Sequence, residues 1–175
     1  MTGLSPASWL FVLNLASTWY MVGLIWMVQI VHYKMFDRVG DEVFAKYAVD
    51  HARLITPIVG LPMLVEIATA AGLLLVRPPA LSISWLAVGL GLVVLIWVST
   101  AVLQVPCHER LARGFDADAY QKLVSTNWIR TFAWTCRAVL MTGLLMNWMA
   151  VGFSQTGAAA DRSAAVSRVP GGEQN

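Results

Sequence analysis

The stretch Trp9–Phe36, "WLFVLNLASTWYMVGLIWMVQIVHYKMF", sets the class of the fold. No formal charge occurs in the chain before Lys34. About 20 mainly apolar residues let a helix cross a bilayer. Lipid offers the backbone no hydrogen-bond partners, so such a segment must satisfy its own amides and predicts a helix. Gln29, His32 and Tyr33 crowd together just before the first charge. They mark either a helix end reaching water or the wall of a site.

Three more apolar runs follow, so the expected spans cover about residues 9–33, 55–76, 83–106 and 127–152. The expectation is an all-α, four-transmembrane-helix bundle over 1–153. A small, polar tail over 154–175 predicts disorder. The composition agrees: 58% hydrophobic and 13% charged, with mean hydropathy +0.64, against about 25% charged in soluble domains. A net charge of +2 gives no reason to expect nucleic acid. The first span lacks a basic n-region and its apolar core is long for a signal peptide, so it reads as a retained helix. Cleavage before Trp19 is the remote alternative.

Lys34, Arg38, Lys46 and Arg53 fall between spans one and two, and Arg110, Arg113 and Lys122 between spans three and four. The opposite side holds Arg77 and the tail residues Arg162 and Arg168. This bias predicts cytoplasmic longer loops and both termini outside, in the inner membrane if the cell is bacterial. Each inner loop is patterned as a short amphipathic surface helix, with Val43, Phe44, Tyr47 and Leu54 in one and Tyr120, Leu123 and Val124 in the other. Asp41 and either Asp116 or Asp118 are the expected N-caps. Cys107 and Cys136 lie at different depths on the reducing side, which predicts two free thiols. The halves also repeat weakly, Gln29 and His32 corresponding to Gln104 and His108. This allows two parallel helix–surface helix–helix repeats.

The topology gathers all three histidines, His32, His51 and His108, at one membrane face. Gln29, Gln104, Asn127 and Arg130 belong at the same level. At about 100° per residue, three polar and aromatic stripes emerge: Trp19, Trp26, Gln29 and Tyr33; Trp97, Thr100, Gln104 and His108; Asn127, Arg130, Trp134 and Arg137. They predict inward-facing surfaces, with His32 to the side of its stripe. Three histidines suit a transition metal or haem, although no HExxH and no i, i+4 pair is present. The commoner reading is that interface histidines cap helix ends or meet headgroups, and that a cofactor is absent. Trp26 and Trp128 fit a site wall or the aromatic belt equally well.

Glu66 and Arg137 fall about 14 to 17 Å inside their spans at 1.5 Å per residue. A lone charge there costs about 2.5 to 3.5 kcal/mol, so the pair is expected to meet. It serves either as a structural bridge, or as a proton relay or an anchor for an anionic or carbonyl-bearing ligand, and Gln29, Gln104 and Trp128 join the pair as candidate cofactor-binding residues. Pro57 and Pro62 predict a kink in span two.

Two stretches, "VPCHERL" (Val105–Leu111) and "KLVSTNWIRTFAW" (Lys122–Trp134), resemble the anthrone-oxygenase-like family of small four-helix membrane proteins. That family typically ends its third helix with Pro, a polar pair and then Leu, and opens its fourth with Trp, a polar residue and Arg-Thr. Pro106, Leu111, Trp128, Arg130 and Thr131 fit this layout, while Cys107 and His108 replace the polar pair. Some members are implied to oxidise activated aromatic carbons with O₂. The resemblance implies an oxygenase-like oxidoreductase.

The leading functional expectation is a redox-type membrane enzyme acting on a lipophilic small molecule. His32, His51 and His108 would be its bases or metal ligands, with Arg130 and Asn127 steadying an oxyanion or carbonyl. The alternative is a non-catalytic membrane subunit, assembly factor or lipid-binding module. A transporter ranks third, because four helices would need a homodimer.

Overall fold

In the computed structural model, residues 5–167 are described. They are all-α with no strand among them. Helix α1 (Pro6–Met27) continues through a π-helical turn, Val28–His32, and a 3₁₀ turn, Tyr33–Arg38. Helix α2 is Asp41–Leu75 and α3 is Ile83–Ser99. A second π-helical turn, Thr100–Gln104, leads into α4 (Val105–Leu111), and α5 is Ala117–Ser167. Three segments, Pro6–Arg38, Asp41–Leu75 and Ile83–Leu111, are long and apolar enough to cross a membrane. The expected fourth span lies within α5, where Arg130 and Arg137 dilute the apolar run. Helix α1 packs on α2 and α5, and α3 packs on α2 and α5, so the four long helices close a ring.

The expected surface helices are not separate elements. Each is the first part of a longer helix, because no breaker separates Asp41 from Ile55 or Ala117 from Trp128. The 35 residues of α2 extend about 52 Å, against an apolar slab of about 30 Å. The helix is continuous through Pro57 and Pro62, which leaves the carbonyls of Arg53 and Ile58 without intrahelical donors. Gly40, rather than Asp41, holds the N-cap of α2, and Asp41 and Glu42 supply acid to its first turn. Helix α5 continues past the expected tail boundary to Ser167, over an Ala-rich stretch with good helix propensity. The rest of the expected disordered tail, 168–175, lies outside the described residues. Cys107 and Cys136 are both free.

The deepest contact ties all four long helices. Glu66 and Arg137, each 1% exposed, pair at 2.9 Å through Oε1 and Nε. Thr18 donates to the same carboxylate at 2.7 Å, and the Trp134 indole donates to its other oxygen at 2.9 Å. The remaining Arg137 nitrogens donate to the Asn14 side chain, at 2.6 Å, and to the Gly89 carbonyl. Asn14 in turn donates to the Glu66 carbonyl and to Thr69. Both Glu66 oxygens and all three Arg137 nitrogens therefore have partners. Gly89 must be glycine for this fit: a Cβ there would stand 2.9 Å from the guanidinium, which its other bonds hold in place.

Two predictions follow from these contacts. Removing one member of a buried pair strands the other charge and costs about 3–5 kcal/mol. Glu66→Gln and Arg137→Gln should each lose about that much in detergent unfolding, and the double change should cost clearly less than their sum. Simple additivity would mean that the two side chains do not interact. At the start of α5, Asp116 accepts the Ala119 amide at 2.9 Å and pairs with Arg110. The amide, and next the guanidinium, hold its carboxyl below the usual range. This stabilisation is complete above about pH 4, the ordinary Asp value, and is lost as pH falls through the lower folded value. Wild type should therefore melt above Asp116→Asn at neutral pH, and the difference should vanish on acidification.

Candidate functional site

Toward the α4 end of the ring, a cavity of about 240 Å³ opens among α1, α2, α3 and α5. Met21, Leu24, Ile25, Val59 and Met63 form its apolar walls. Tyr33, His51, Trp97, Thr100, Gln104, His108 and Arg130 supply its polar lining. Shallower clefts adjoin it. One, beside His32, shares Val28, His51 and Ile55 with the cavity; the other shares Ile55, Thr56, Val105 and His108.

The π-helical turns account for this arrangement. The amide of Tyr33 bonds back to the Val28 carbonyl, and that of Val105 to the Thr100 carbonyl, each five residues earlier. A turn of this kind inserts an extra residue and rotates everything after it. His32 stays half-buried in the cleft beside the cavity, where it meets His51. The two turns occupy corresponding places in the two halves, and each buries one glutamine, Gln29 or Gln104.

The three histidines gather around Phe36, which is fully buried and meets six rings edge-on. His32 Nε2 lies 3.0 Å from His51 Nδ1, and Tyr33 Oη lies 3.2 Å from His108 Nε2. The rings of His51 and His108 are 5.9 Å apart between centroids. Each contact shares one proton, whose position depends on the tautomers. For the expected metal set His32, His51 and His108, the near nitrogen of His108 faces Tyr33 and not the other pair. Among the described residues no three His, Cys, Asp or Glu side chains are grouped to hold a metal ion.

Arg130 is 5% exposed. Its Nη1 donates to Thr100 at 3.3 Å, and its guanidinium lies 5.5 Å over the Trp134 ring. Its Nε has no hydrogen-bond partner, and neither does the indole nitrogen of Trp97. No carboxylate pairs with Arg130 among the described residues.

The other expected site residues divide by location. Asn127 donates to Gln29 at 2.7 Å, and Gln29 donates to the Val124 carbonyl. Gln104 accepts from Ser99 and donates to Thr126. These amides tie helices together, and of the three only Gln104 reaches the cavity. Trp128 packs on Trp26 and Phe132, outside the cavity lining. Glu66 and Arg137 belong to the deeper layer. Trp19 does not face inward as its stripe predicted: it is 49% exposed and donates to Thr142. The inward positions at its level are Asn14 and Thr18, and Trp19 sits about 100° further round than Thr18. Phe36 had no assigned role in the sequence, although its place three residues after Tyr33 was a usable signal.

Neither the family models, nor the curated proteins, nor the solved structures contain a match to this chain.

Phe36 holds the histidine rings by packing alone. Phe36→Ala should cost about 3–5 kcal/mol. It should also merge the ring-proton NMR signals of His32, His51 and His108 toward free-rotamer values, whereas Phe36→Leu should keep most of their dispersion.

Proposed function

We propose that this chain is an integral membrane protein of four spans that binds a lipophilic small molecule in the cavity and transfers protons to or from it. One observation carries this reading: Tyr33, His51, His108 and Arg130 stand on the wall of a mainly apolar cavity. An apolar pocket with a few convergent polar groups is the usual form of a small-molecule site. Two shared-proton contacts beside it suit general acid–base chemistry. The fourth span would be the Trp128 part of α5, which closes the ring and matches the others in length. With the longer loops cytoplasmic and both termini outside, the cavity lies near the cytoplasmic face, reachable from lipid through its adjoining clefts. A redox reaction would additionally require an electron acceptor. The residues described supply the proton-handling half of such chemistry, with Arg130 stabilising negative charge on oxygen.

Untargeted mass spectrometry of organic extracts tests this. Membranes carrying wild-type protein should show a reciprocal change in two lipophiles relative to membranes carrying His51→Ala or His108→Ala. Gly60 lines the cavity and a Cβ there meets no atom within 4 Å, so Gly60→Leu should fold normally while reducing the conversion. A lipophile retained by the purified protein but never converted would leave a lipid-binding module instead. No retention and no conversion would remove the reading altogether.

A further inference from the structure

Three charged side chains are buried among the described residues: Glu66, Arg130 and Arg137. Glu66 and Arg137 neutralise each other. Arg130 is left as an excess buried cation on the cavity wall. An isolated buried charge is costly in a low-dielectric interior, and in natural proteins buried charges have partners. The cation–π contact with Trp134 offsets part of that cost, but it leaves the donors on the Nε side of the guanidinium unused. Only Nη1 is engaged, by Thr100. A guanidinium is the side chain best suited to a carboxylate in such surroundings.

We infer that the molecule held in this cavity is an amphiphile with a carboxylate-type anionic head, seated against the Arg130 guanidinium, and with its tail along Met21, Ile25 and Met63. This rests on the cavity being a lipophile site, as proposed above, and it names the ligand's charge. The head completes the buried charge balance: two cations, Arg130 and Arg137, against Glu66 and the ligand. Tyr33 and His108 then lie on the same cavity wall as the bound head.

The test uses the full chain in phosphatidylcholine nanodiscs. Brominated dodecanoate and brominated dodecanol, which share a tail, are titrated while quenching of tryptophan fluorescence is followed. The acid should saturate at about tenfold lower concentration than the alcohol, the scale of a charge-assisted hydrogen bond. Arg130→Gln should erase that preference. If Arg130→Gln fails to fold by circular dichroism, Arg130→Lys decides, narrowing the preference without abolishing it. Displacement of the acid in phosphatidylglycerol nanodiscs would support the same anionic recognition, with the bilayer as the source of the head. Equal binding of acid and alcohol by wild type would overturn the inference and leave the lipophile reading intact. Saturable binding of neither would overturn both.

Discussion

The Glu66–Arg137 bridge is the constraint on which the other packing depends. Neither charge tolerates lipid alone, and each helix of the ring contributes to burying them: Asn14 and Thr18 from α1, Glu66 itself and Thr69 from α2, the Gly89 carbonyl from α3, and Trp134 with Arg137 from α5. Apolar side chains can slide past one another in a bilayer at little cost, because lipid tails are as apolar as leucine. A carboxylate and a guanidinium with every principal atom satisfied cannot. The network therefore fixes the rotation and register of all four helices at one level. From there, helical rise places everything else.

Trp134 connects this layer to the cavity. Its indole nitrogen donates to Glu66, and its ring face lies beneath Arg130. The carboxylate therefore orients the surface on which the unpaired guanidinium rests. Fifteen residues along α2 from Glu66, or about 22 Å by helical rise, His51 meets His32. The molecule thus has a rigid ionic floor, a mainly apolar cavity above it, and a ring of imidazoles and aromatic side chains at the mouth. The floor has no unused donor or acceptor for a ligand. The wall above it does.

Much of this arrangement could be read from the residues alone. Glu66 and Arg137 had to meet, because two charges at matched depth have no cheaper solution. The inward faces of Gln29, Tyr33, Gln104, Asn127 and Arg130 followed from ordinary helical phase, and all five are buried. What escaped has physical causes. The Gly89 carbonyl has no side-chain signal. Asn14 and Thr18 are spaced four apart on one face, but they sit in a run whose apolar character hid them. Trp19 was misplaced because the aromatic stripe was extended past the level at which those two polar residues take the interior. The π-helical turns themselves cannot be seen in a periodicity of 3.6. The surface helices were separated from α2 and α5 because charge, and not helix continuity, marked the expected membrane boundary.

The contrast between the two buried arginines shows why burial by itself does not mark a site. Arg137 and Arg130 lie two turns apart on α5 and are equally removed from solvent. Arg137 is surrounded by a carboxylate, an amide oxygen and a backbone carbonyl, so its environment is complete and its role is to hold helices in place. Arg130 has one hydroxyl and one ring face. Its neighbours on α1 and α3 are positioned by π-helical turns, a local geometry of poorer hydrogen bonding that frequently accompanies functional sites. The same helix thus carries one cation whose surroundings are finished and another whose surroundings lack an anion. The second lines the cavity, and there the wall differs from the ionic floor beneath it.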